Sequence, residues 1–213
     1  MRLATALLVL LPLVAGAEVL DRAAVRVGIQ VITESALRRS LRMEAYFQNR
    51  EPDLSPDARR KAAERLIDQK LVRREFELTR YAAPTMTEAR DEMERMRKAR
   101  NLDEEAFERE LARYGFTIDD LRNEILYRMS LLRFVEFRFS PGVQVSDEEV
   151  SVAYEKEIAA PAKAGNQAPP SIDESRAELV RLLSYRKTTA ALEQWLAQAR
   201  QQVKIRYFEE AFQ

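Results

Sequence analysis

Two short alternating segments stand at opposite ends of a chain whose remaining folded-looking stretches carry helical spacing. Ala24-Val25-Arg26-Val27-Gly28-Ile29-Gln30-Val31-Ile32 reads as strand, small turn near Gly28, and strand again. The second segment is Val203-Lys204-Ile205-Arg206-Tyr207-Phe208. A lone strand exposes a row of unpaired backbone groups, so the two ends are expected to pair in one small sheet. The expected fold class is therefore mainly α: a multi-helix core with a small sheet formed by N-terminal and C-terminal strands.

Helix starts between these ends are marked by capping devices. Thr33 can cap a helix from Glu34, whose apolar side is Leu37, Leu41, Ala45 and Phe47. Ser55 before Pro56 opens a second helix, to about Tyr81, with Ala63, Leu66, Ile67, Leu71 and Phe76 at helical spacing. Thr85 and Glu88 form a capping box for a third, with Met86, Ala89, Met93 and Met96 on one side. Leu102 and Phe107 staple a fourth around Asp103, and Gly115 ends it as a left-handed cap. A fifth runs from Ile118 to about Phe139, with Ile118, Leu121, Ile125, Met129, Leu132, Val135 and Phe139 inward. Ser140-Pro141-Gly142 breaks it, and a short helix follows from Ser146. Residues 158–171 lack helical periodicity and read as a linker or exposed loop. A long helix then spans Asp173 to about Gln201, with Val180, Leu183, Leu192, Trp195, Leu196 and Ala199 inward; Trp195 is expected to be buried.

The chain opens with Met1-Arg2, an apolar run from Leu3 to Val14, and a small-x-small site at Ala15-Gly16-Ala17. This is the pattern of a cleaved secretory signal, residues 1–17; an uncleaved N-terminal anchor is the other reading. The absence of Cys rules out a lipid-anchored lipoprotein and leaves the exported fold to be held by burial alone. Removing residues 1–17 takes only Arg2 from a balance of 35 basic and 35 acidic residues. So finely mixed and neutral a chain argues against nucleic acid as a partner, and its binding is expected to tolerate salt. No second apolar run predicts a membrane span. There is no His, which removes the commonest general base and metal ligand, and five Gly provide no glycine-rich phosphate loop. No catalytic residue, metal ligand or cofactor is expected.

The ordered set of segments resembles the core of SurA-type periplasmic chaperones, relatives of trigger factor's client-binding domain. The likeness is carried by Val25 to Ser35, by Leu66-Ile67-Asp68-Gln69-Lys70-Leu71, and by Asn101 through Leu111 with Tyr114-Gly115-Phe116 and Leu121 to Ile125. At the far end it is carried by Tyr185-Arg186-Lys187, Glu193-Gln194-Trp195-Leu196 and Val203-Lys204-Ile205. It implies a helical core over 18–157, a linker at 158–171 and a C-terminal helix and strand, 172–213, packing back on that core. In the family a parvulin-type prolyl isomerase domain usually fills the place of residues 158–171. A folded domain needs roughly 50 residues, so the resemblance implies the chaperone part and withholds the isomerase part. Gly28-Ile29-Gln30 also departs from the family's Asn- and Gly-rich turn.

The resemblance implies a periplasmic, ATP-independent holdase for unfolded polypeptide clients, outer-membrane proteins among them. Such a surface must be apolar and sequence-tolerant, which suits Met. Met86, Met93, Met96 and Met129, with Phe134, Phe137 and Phe139, are the candidate client-binding residues; for each, ordinary core packing is the competing reading. The three Phe cannot all face inward on one helix, so a crevice between the helices around Met86–Met96 and Met129–Phe139 is expected. A divergent prolyl isomerase and a dedicated interaction subunit for one envelope protein are the alternatives.

Overall fold

The computed structural model describes residues 21–79 and 81–213; the expected export signal lies outside them. Strands β1 (Ala23–Val27) and β2 (Gln30–Thr33) form an antiparallel hairpin, with Val27 opposite Gln30. So tight a turn requires a left-handed residue, and Gly28 supplies it with φ +58°. Strand β3 (Ile205–Tyr207) pairs antiparallel with β1, Val25 facing Tyr207 and Val27 facing Ile205. The expected meeting of the two chain ends is thus observed, with β1 central in the order β2-β1-β3.

The expected start devices are in place. Thr33, Ser55, Thr85, Asp103 and Thr117 cap helices α1 (Glu34–Phe47), α2 (Pro56–Leu78), α3 (Met86–Ala99), α4 (Glu104–Arg113) and α5 (Ile118–Phe139). Gly115 is left-handed after α4, at φ +76°. Helix α2 stops at Leu78, short of Tyr81, because β-branched Thr79 is extended. Ser146 caps α6 (Asp147–Tyr154), and Ser171 caps the long α8 (Ile172–Gln201).

The 158–171 linker needs correction. Helix α6 continues through a π turn, Glu155–Ala159, into a further helix, α7 (Ala160–Ala164); only residues 165–171 are irregular. Pro161 has no N–H, and its ring would clash with the carbonyl four residues back; the wider π turn directly before it accommodates both. The helix is masked in the sequence by that proline.

Apolar side chains gather in two main cores. The first holds β1, β2, the start of α1, α2 and the tail residues Ala211 and Phe212, with Trp195, Leu196 and Ala199 of α8 packed against it. The second holds Met43 and Tyr46 of α1 with buried residues of α3, α4 and α5. A satellite core joins α6 to the N-terminal half of α8 through Val150, Ala153 and Leu179. So α8 serves two cores, and its inward face turns along its length. Leu132 was expected inward but is 69% exposed. Helix α5 faces α3 and α4 with Leu121 and Ile125, then rotates its buried side to Tyr127 and Phe134 as it passes beside α2 and α8. A single run of three-and-four spacing cannot follow a helix that changes neighbours.

The C-terminal segment is clamped onto α2. Arg200 donates to Asp68 at 2.8 Å and to Glu64 at 2.5 Å, and the Tyr207 hydroxyl donates to Glu64 at 2.5 Å. Burial works against the Glu64 carboxylate, but Tyr207 and Arg200 outweigh it and hold its pKa below the usual value. At Asp68 burial wins over the same guanidinium and raises the pKa. Arg59 donates to the carbonyls of Ala211 and Gln213, and Arg60 lies 4.5 Å from the centre of the Phe212 ring.

Candidate functional site

Helices α3 and α5 pack directly on each other, and Arg133 of α5 pairs with Glu88 of α3, so the crevice expected between them is closed. Met93 is buried in the second core, with Met96 and Met129 half-buried against it. Phe134 is fully buried. Met93 and Phe134 are therefore core residues, a correction to their expected client role. Met86 and Phe137 remain open, at 46% and 52% exposure, and Phe139 is half-buried.

Phe134 is the hub of an aromatic cluster between the main cores. Its ring centre lies 5.1 Å from Phe76, 6.0 Å from Tyr81, 6.0 Å from Phe139 and 6.4 Å from Trp195. Edge-to-face pairs at these separations contribute about 0.5–1.5 kcal/mol beyond area burial. Tyr81 also touches the exposed Phe137, at 6.4 Å, so the cluster reaches the surface there. Trp195, expected to be buried, is half-buried because one side faces an open groove.

That groove runs between the C-terminal halves of α2 and α8. A cavity of about 540 Å³ lies under the β1–β2 turn, lined in part by Ile29, Lys70, Leu71 and Lys204. A second of about 250 Å³ is lined in part by Leu78, Trp195 and Ala199. The two share Leu71, Arg74, Gln202 and Val203, and so form one continuous depression. Ile29 (94% exposed) stands at one end and Leu78 (72% exposed) at the other. Lys70 to Leu78 is eight steps along the helix, about 12 Å, the length of about four residues of extended chain.

The position of each wall follows from local structure. Gly28 N–H donates to the Lys204 carbonyl at 2.9 Å, which seats the hairpin turn on the segment leading into β3. A Cβ at Gly28 would lie 3.5 Å from Val203 Cγ1. Ile29 is thereby held at the tip, pointing away from all packing. Lys70 and Arg74 sit one turn apart on α2. Neither their side chains nor that of Lys204 has an ion-pair or hydrogen-bond partner among the described residues, although those of Arg60, Arg65 and Arg200 do. Burial, then the nearby Arg73, lowers the Lys70 pKa.

Sequence reasoning missed this groove, since Ile29 lay beside the expected turn at Gly28 and Leu78 within the expected second helix. The like-charge pair Lys70 and Arg74 at i,i+4 gave no lead, because Arg38 with Arg42, Lys61 with Arg65 and Arg109 with Arg113 repeat the pattern elsewhere. Among the described residues no group of three or more His, Cys, Asp or Glu is placed to hold a metal, and no helix is long and apolar enough to cross a membrane. The groove offers apolar contact and positive charge, with no arranged nucleophile or base. Compared with family models and with curated proteins, the chain matches none.

Proposed function

We propose that this protein is an ATP-independent chaperone of the SurA-like type, a periplasmic holdase that shelters apolar segments of unfolded clients, outer-membrane proteins among them. The observation that carries this reading is the open groove between α2 and α8, with Leu71, Trp195 and Val203 in its walls and Ile29 and Leu78 standing free at its ends. Exposed apolar side chains around a concavity favour contact with another apolar chain. Each contact is weak and indifferent to sequence, so affinity is modest and release spontaneous.

The test is light scattering of several unrelated unfolded proteins with and without the full chain, in the absence of nucleotide. Suppression at near-stoichiometric ratios is expected, and it should fall in Ile29→Ser/Leu78→Ser while the melting temperature stays close to that of the parent. Failure to slow the aggregation of any client would overturn the holdase reading. Phe134→Ser is unsuitable as a probe, because that ring is core and its loss would cost about 3–5 kcal/mol of stability; Phe137→Ser reports on the accessible end of the aromatic cluster.

A further inference from the structure

We infer that the groove between α2 and α8 selects apolar segments that carry acidic residues. The inference rests on the groove's being the client site, and it adds a charge preference that the near-neutral composition conceals. Lys70, Arg74 and Lys204 border the apolar walls, and Glu75 is the one carboxylate lining the depression.

Three features bear on what these cations can bind. Most arginines on the facing helices are already matched: Arg60 with Glu209, Arg65 with Glu44, Arg186 with Glu157 and Arg200 with Glu64 and Asp68. Lys70, Arg74 and Lys204 have no such partner among the described residues. Next, Lys70 and Arg74 are one helical turn apart and repel each other, a cost that an anion between them relieves. Last, Lys70 is half-buried beside Leu71, and a cation withdrawn from water is attracted to an incoming carboxylate more strongly than a freely solvated one.

The geometry fits an extended peptide. Leu71, Val203 and Trp195 line a floor about four extended residues long. Alternate side chains of a strand point to opposite faces, so apolar residues facing this floor leave the intervening ones at the rim, where the cations are. Acidic residues at those rim positions complete the pairing, and basic ones meet three like charges.

The experiment compares three fluorescein-labelled peptides with the full chain by anisotropy. All share the same alternating Phe and Leu residues, and the intervening positions are Glu, Gln or Lys. The Glu peptide is expected to bind about tenfold more tightly than the Lys peptide at low salt, the sum of several exposed ion pairs. The gap should narrow in high salt. Lys70→Gln/Arg74→Gln/Lys204→Gln should abolish it, and Arg74→Glu, at an exposed position, should narrow it. Equal affinity for the three peptides, or a gap that persists in the triple variant, overturns the inference. A chain that suppresses aggregation without preferring Glu over Lys keeps the holdase reading and loses this one. A chain that prefers Glu, and loses that preference in the triple variant, but does not suppress aggregation retains a selective peptide site and loses the holdase reading.

Discussion

The two main cores are built from chain in different ways. Apart from the end of α1, the second draws on one uninterrupted stretch, α3 to α5, whose helices are joined by short turns at Asn101 and Gly115. The first is assembled from both ends of the described chain: β1 and β2, then α2, then the end of α8, β3 and the tail. The second closes its surfaces on itself, with Met93 and Phe107 buried and α3 flush against α5. The first leaves a groove where its late-arriving pieces meet α2. Helices adjacent in sequence can be matched turn by turn through local contacts. Elements that arrive from far away must meet at a seam, and here the seam lies between α2, α8 and the hairpin tip.

Removing residues 202–213 gives the largest expected effect on this contrast. The first core would lose β3, Ala211 and Phe212, and Arg59, Arg60 and Glu64 would lose partners. Loss of one large buried aromatic alone costs about 3–5 kcal/mol. Denaturant unfolding followed by hydrogen exchange should show protection lost in β1, β2 and α2 and retained in α3 to α5. Equal loss across both regions would mean that the two cores fold as one unit, and the comparison would break.

Gly28→Ala sharpens the seam with a smaller cost. Its φ of +58° penalises any Cβ by about 1–2 kcal/mol. The variant should lower the melting temperature and weaken the holding of clients, because the turn that presents Ile29 moves. Gly142→Ala, where a Cβ meets nothing within 4 Å, is the control and should do neither.

The smallest effect concerns acid. The hydrogen bond from Arg133, then the Thr85 cap, lowers the Glu88 pKa to about 2. A depressed carboxylate contributes stability above its unfolded value near 4.5, and that contribution is lost as pH falls toward 2. Glu88→Gln should therefore flatten the stability profile between these limits and change it little at pH 2. An unaltered slope across that window would mean that the Arg133 contact contributes nothing to the closure of α3 on α5.

By itself the sequence determined where most helices begin, because capping is a transaction among neighbours: Thr85 with Glu88 and Ser146 with Glu149 are each complete within four residues. It also determined that the two alternating segments must pair, since neither had another partner. It did not reveal α7, because Pro161 reads as a breaker until a π turn is available to accommodate it. Nor did it separate Phe134 from Phe137, three residues apart on α5, one the buried hub of an aromatic cluster and the other half-open. That difference depends on where α2 and α8 lie, and periodicity along one helix carries no information about its neighbours. The groove was decided by the tertiary structure for the same reason. Lys70 is far in the chain from Trp195 and Lys204, and only the closure of β3 on β1 brings them to one depression.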